Sequence, residues 1–171
     1  MMITLSFFCQ SEMLMTAYHL AQLNIARMLA PADSPVMADF MNGLSRINQL
    51  GEATPGFVWR LKSDDDNAIA IRVFDDEMII VNLTVWRDID SLYQFAYYSD
   101  HAEFFRRRRE WFHKEDAPMA CLWWLPEGET PSPQEARLRL EYMQKHGITP
   151  YAFNFRTRFT PEDALAYMPV A

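Results

Sequence analysis

The stretch HAEFFRRRREWFHKE, residues 101–115, concentrates the side chains best suited to chemistry. At ~100° per residue, Phe104, Phe105, Trp111 and Phe112 form one apolar helical stripe. His101 and Arg108 fall inside that stripe, Arg108 near its centre, whereas Arg106, Arg107 and Arg109 point away from it. A guanidinium among aromatics stays charged. It therefore requires a core carboxylate, with Asp88, Asp90 and Glu103 as candidates, or an anionic or carbonyl-bearing ligand. His101 has an unperturbed pKa near neutrality, which suits a general acid or base. Its place at a helix start, after Ser99 and Asp100, equally suits capping or packing.

A second group of polar residues falls on strands. Over 17–24 (AYHLAQLN), Tyr18, Leu20, Gln22 and Asn24 share one face by period 2, and His19, Ala21 and Leu23 share the other. Gln22 and Asn24 are amides in a segment otherwise fit for burial, so each needs an internal partner or a ligand. His19 is expected to be structural. Over 78–86 (MIIVNLTVW), Ile79, Val81, Leu83 and Val85 make an aliphatic face fit to pack on helices. The opposite face presents Met78, Ile80, Asn82, Thr84 and Trp86, the mixture found in a ligand cavity or a subunit interface. Trp123 and Trp124 must point to opposite faces of 119–125, so one indole is expected to line the cavity while the other packs under helices. Plain aromatic core filling is the competing reading for both.

The elements that position these residues follow from period and punctuation. A helix is predicted from Pro35 to about Leu50, capped by Asp33 or Ser34 and ended by Gly51. Short strands are predicted over 57–61 and 68–74, and the strongest over 78–86. Helices are expected over 88–99 and 101–115, a strand over 119–125, a helix over 133–146 behind Ser132, and a last strand over 151–159. Strand–helix–strand–strand–helix–strand is the ferredoxin-like pattern. The expected fold is thus α+β: an antiparallel sheet with helices on one face, plus an extra C-terminal helix and strand. Residues 1–15 are expected to be a peripheral extension, with Met15 a candidate start, residues 16–160 the domain, and residues 161–171 a tail.

Composition narrows the function classes. The 171 residues carry 23 Asp and Glu against 16 Lys and Arg, a formal charge of −7, which argues against a nucleic-acid partner. Half the residues are hydrophobic and 14% aromatic, which excludes a disordered chain. No apolar run approaches the ~20 residues of a membrane helix. Cys9 and Cys121 make no disulfide framework. No HExxH, CxxC, GxSxG or glycine-rich phosphate loop occurs, so no metal and no cofactor is expected. A soluble, cytoplasmic domain with a small-molecule pocket remains.

The segments YHLAQLN, HAEFFRRRREWF, LWWLPEGETP and YAFNF together resemble a bacterial domain-of-unknown-function family in the dimeric α/β-barrel superfamily, from about Thr16 to Thr160. That resemblance implies a homodimer whose sheets pair across a two-fold axis, enclosing a cavity on their non-helical faces. Relatives in the superfamily include antibiotic-biosynthesis monooxygenases, haem-degrading enzymes and isomerases, whose catalytic residues differ between branches. The leading expectation is a small-molecule enzyme, a cofactor-independent monooxygenase or an isomerase, acting on an aromatic or polycyclic compound. In it Arg108 and His101 do the chemistry, while Gln22, Asn24, Asn82, Thr84, Trp86 and Trp123 or Trp124 bind. The alternatives are a haem-binding protein with His101 or His19 as axial ligand, and a non-catalytic assembly protein whose aromatic face is a dimer core.

Overall fold

The computed structural model describes residues 17–170. The expected 1–15 extension, Met15 and Cys9 therefore lie outside the described residues. At the centre of the sheet, β1 (Tyr18–Arg27) pairs antiparallel with β3 (Ile79–Trp86) on one side and β4 (Ala120–Pro126) on the other. The short β2 (Phe57–Arg60) pairs with the outer edge of β3, giving the order β2-β3-β1-β4. α1 (Ala38–Ala53) links β1 to β2, and α2 (Ile89–Tyr98) with α3 (His101–Arg107) links β3 to β4. This order and connectivity are the ferredoxin-like pattern, an α+β fold with an antiparallel sheet, as expected.

Local chemistry explains the boundaries. Five of the eight β3 residues are β-branched, which suits a pleated, packed strand. The Asp88 carboxylate accepts from the Ser91 amide at 2.7 Å and starts α2. Ser34 caps the 3-10 turn Pro35–Met37 that leads into α1. Ser132 caps α4 (Pro133–His146), and Gly147, at φ 81°, ends it in a backbone region that glycine enters freely.

Both sheet faces are covered within the chain. Ala21, Leu23, Val81, Leu83, Val85 and Trp123 pack beneath Ala136, Leu140 and Met143 of α4. The aliphatic face does pack on a helix, as expected, but that helix is α4, which follows the last strand of the sheet. The opposite face carries Leu20, Trp86 and Leu122 and lies against α1 and α2. No open face is left for two sheets to meet, which corrects the structural premise of the sequence argument for a dimer.

Four expected elements change, one of them the 101–115 helix, of which α3 keeps only His101–Arg107. Residues 68–74 form turns rather than a strand: Ser63 and Asn67 close the preceding loop, and Asn67 then caps the Ile69 amide, so no ladder begins. The expected last strand, 151–159, keeps only isolated bridges, Phe153 to Leu122 and Ala152 to Thr149, because the Asn154 side chain accepts from the Arg156 and Thr157 amides and bends the chain. The 161–171 segment is not a bare tail. It contains α5 (Pro161–Ala166), opened by a Thr160–Asp163 capping box and tied back by a Tyr142–Tyr167 hydroxyl bond of 2.8 Å.

Candidate functional site

Antiparallel register sets Asn24 directly opposite Asn82 in the middle of the sheet, with Gln22 opposite Thr84 and Leu20 opposite Trp86. Paired side chains stand about 5 Å apart on one face, here the face toward α1, α2 and α3. Thr84 Oγ1 donates to Gln22 Oε1 at 2.9 Å and accepts from Trp86 Nε1 at 2.9 Å, so this trio satisfies itself. Asn24 and Asn82 differ. Both are exposed although they sit on central strands beneath helices, and neither carboxamide is hydrogen-bonded within the described residues. They face an opening.

That opening is a cleft with two connected cavities. The inner one, of about 150 Å³, lies between the sheet and α1 and is walled by Phe57, Trp86 and Phe95, with Asn24, Asn82, Thr84 and His101 on it. The outer one, of about 460 Å³, runs out beneath α3 and shares Asn24, Phe40, His101 and Phe112 with the first. α1 contributes Phe40, Leu44, Ile47, Asn48 and Gly51 to the inner wall, a helical spacing along one face. Arg60 closes the far end. It is buried, with Nε 2.7 Å from Glu52 and a terminal nitrogen 2.8 Å from Asp66, so its charge is matched.

His101 stands where the cavities meet. Its ring packs on Phe95, centroids 4.8 Å apart, and its Nδ1 lies 3.2 Å from the Ala96 carbonyl oxygen. A carbonyl only accepts, so Nδ1 carries the proton and Nε2 is left with a free lone pair. Burial lowers the imidazole pKa below its ordinary value, against the opposing pull of the Ala96 carbonyl. The neutral ring is thus the resting form, that of a base.

The cleft gathers Asn24, Asn82, Thr84, Trp86, His101 and Arg108, but not the remaining candidates. Gln22 stands behind Thr84 and lines neither cavity. Trp123 is fully buried on the α4 side, beneath the Arg139 guanidinium. Trp124 points toward the helical face as one indole should, but the 153–159 segment covers it and takes its Nε1 proton on the Phe159 carbonyl at 2.7 Å. Neither indole lines the cleft. Arg108 is not buried among aromatics. The helix ends at Arg107, and the tighter turn Arg108–Glu110 carries the Arg108 side chain out to the exposed mouth. There it stacks on Phe105 at 4.3 Å and donates to the Phe105 carbonyl at 2.7 Å, with none of the expected carboxylates beside it. His19 lies on the sheet face opposite the cleft, near Glu127, so of the two histidines expected as haem ligands only His101 lines the cleft.

Sequence reasoning missed Arg60 and Asn48. A lone cation in FVWRL was a signal for the first; Asn48, one turn beyond Leu44 on the inner stripe of α1, was a signal for the second. Among the described residues, no helix is long and apolar enough to cross a membrane.

Residues 19–168 match the model of a family described as a domain of unknown function, DUF3291, and the chain belongs to that family. A comparison with curated proteins finds no match. Similar solved structures include a conserved protein from Methanosarcina mazei Go1, at 18% identity and TM-score 0.43, covering 64% of this chain and 92% of that one. Another is a mutant of SnoaB, a cofactor-independent oxygenase from Streptomyces nogalater, at 15% identity and TM-score 0.41, covering 66% and 95%.

Proposed function

We propose that this DUF3291 protein is a small-molecule enzyme that acts on an aromatic or polycyclic organic compound by proton transfer at His101. One observation carries the reading: two unpartnered asparagines stand side by side in the middle of a sheet, inside an aromatic cleft, beside a neutral imidazole with one nitrogen free. A few convergent polar groups on an otherwise aromatic concavity are what a small-molecule site contains, and two exposed amides with free donors and acceptors supply them here. The aromatic lining of Phe40, Phe57, Trp86 and Phe95 suits a flat ring system.

The chemistry follows from the donors. His101 Nε2 accepts a proton from an acidic C–H or O–H of the substrate. The Asn24 and Asn82 amides donate hydrogen bonds to the oxygen on which negative charge then develops. Proton removal of this kind begins both an isomerisation and an oxygenation without cofactor, and the two branches share these residues. Buried and without a disulfide partner among the described residues, the Cys121 thiol suits the reducing cytoplasm, and burial pushes its pKa up to about 12, which removes it as a nucleophile.

The assembly part of the proposal is a homodimer. With both sheet faces covered, we assign its contact to the exposed aromatic surface of Tyr97 and Tyr98.

Native mass spectrometry of freshly purified protein and of the N24L/N82L variant tests the site. A co-purified organic ligand carried by the first and absent from the second is expected. Calorimetry with uncharged 1-naphthamide and with its naphthyl acid and phosphate analogues provides the second arm, and absence of binding of all three to the wild-type protein at millimolar concentration overturns the reading.

A further inference from the structure

The outer cavity has a chemistry that the proton-transfer reading does not use. Its floor is aromatic, with Phe104, Phe105, Trp111 and Phe112, and its mouth is cationic. Arg108, Arg109 and Lys114 are cations on that wall, and Glu115 is the only acid among its described lining residues. In a chain of net charge −7 this is a local reversal of sign. A low-dielectric wall concentrates such a field at the opening.

The arginine run divides its labour. Arg107 is spent on structure: it bonds Asp39 at 2.9 Å and Glu110 at 2.8 Å and lies over Trp111. Arg108 and Arg109 form no ion pair among the described residues. Arg108 is nevertheless held in place by the Phe105 ring and carbonyl, with one of its five N–H donors used. A fixed guanidinium with free donors at the mouth of an aromatic cleft is pre-organised for an anion.

We infer that the outer cavity recognises a carboxylate, so that the substrate is an aromatic organic acid whose ring system reaches the inner chamber while its carboxylate is held by Arg108 and Arg109, with Lys114 adding charge. This rests on the cleft being the ligand site, and it adds the substrate class. The choice of carboxylate over phosphate follows from the donors. Planar guanidinium forks match a carboxylate bidentately. No glycine lies between Gly56 and Gly128, so the wall has no glycine-built main-chain cradle of the kind phosphate groups use.

Calorimetry with 1-naphthoate, 1-naphthamide and 1-naphthyl phosphate separates the possibilities. Naphthoate is expected to bind at least about tenfold tighter than naphthamide, an advantage that shrinks in high salt. In R108Q/R109Q that advantage should fall to about threefold or less while naphthamide binding is unchanged, and R106Q, an exposed arginine outside the cleft, should behave as wild type. The single variants R108Q and R109Q, each expected to show part of the loss, cover the case in which the double variant fails to fold. Equal binding of naphthoate and naphthamide to the wild type overturns the carboxylate site and leaves the cleft intact as a ligand site. So does a naphthoate advantage that survives the substitutions. Tighter binding of the naphthyl phosphate than of naphthoate overturns the assignment to a carboxylate. Failure of all three probes overturns the cleft reading itself, and this inference with it.

Discussion

Burial holds the His101 imidazole below its ordinary pKa, and this has a consequence for stability as well as for catalysis. In the unfolded chain the ring takes up a proton near pH 6.5, while in the fold it does so only at lower pH. Between those two values the unfolded state binds more protons, so stability is complete above about pH 6.5 and falls as the solution is acidified. Urea unfolding at pH 7.5 and 5.5 should show this loss, and His101→Gln should flatten it. A variant as acid-sensitive as the wild type would remove His101 from its buried position. At this scale the sequence was informative wherever a polar residue broke an apolar period. Asn24, Asn82 and Thr84 stand out in that way and reach the cleft. Arg108 was misplaced because the last turn of its helix tightens from 3.6 to 3.0 residues per turn, which rotates the side chain outward.

α3 roofs the outer cavity and is held by few contacts, so its seat on α1 sets the width of the cleft. Arg46 reaches Asp100 at 2.9 Å and Arg107 reaches Asp39 at 2.9 Å, both exposed pairs of small worth. Close packing does more: a Cβ on Gly43 would overlap the Phe104 ring, so glycine is what lets the two helices approach. Gly43→Ala is expected to cost about 1–3 kcal/mol by overpacking. Adding Phe104→Ala should recover part of that loss, a non-additivity that marks direct contact. An unchanged urea midpoint in Gly43→Ala would show that α3 does not rest there. Strong local signals made β3 and α4 legible: β-branched density in one, and Ser132, Pro133 and Gly147 at the ends of the other. Trp124 was not legible because its cover arrives from residues 153–159, and a strand's own alternation says nothing about a segment ~30 residues away.

The whole molecule buries both faces of its sheet with its own helices, and the proposed dimer must therefore use a side surface. Light scattering at micromolar concentration should give twice the chain mass of 20.1 kDa. Tyr98 is 72% exposed, so Tyr98→Glu should yield monomers without lowering the melting temperature. A monomeric wild-type protein would overturn the assembly proposal and leave the cleft reading untouched, because every cleft residue comes from one chain.

The sheet also works as a bulkhead. On one side Leu140, Met143 and Trp123 are sealed into a dry aliphatic layer; on the other, amides and aromatics surround a hollow. Side chains on opposite faces of a strand do not touch, and layers packed on a sheet sit about 10 Å from it. Substitutions that far apart combine additively. Folding strength is therefore kept in one compartment and ligand choice in the other, so the cleft lining can be rewritten during descent without undermining the layer that holds the chain together. A family built this way can keep one architecture while its members diverge in what they bind.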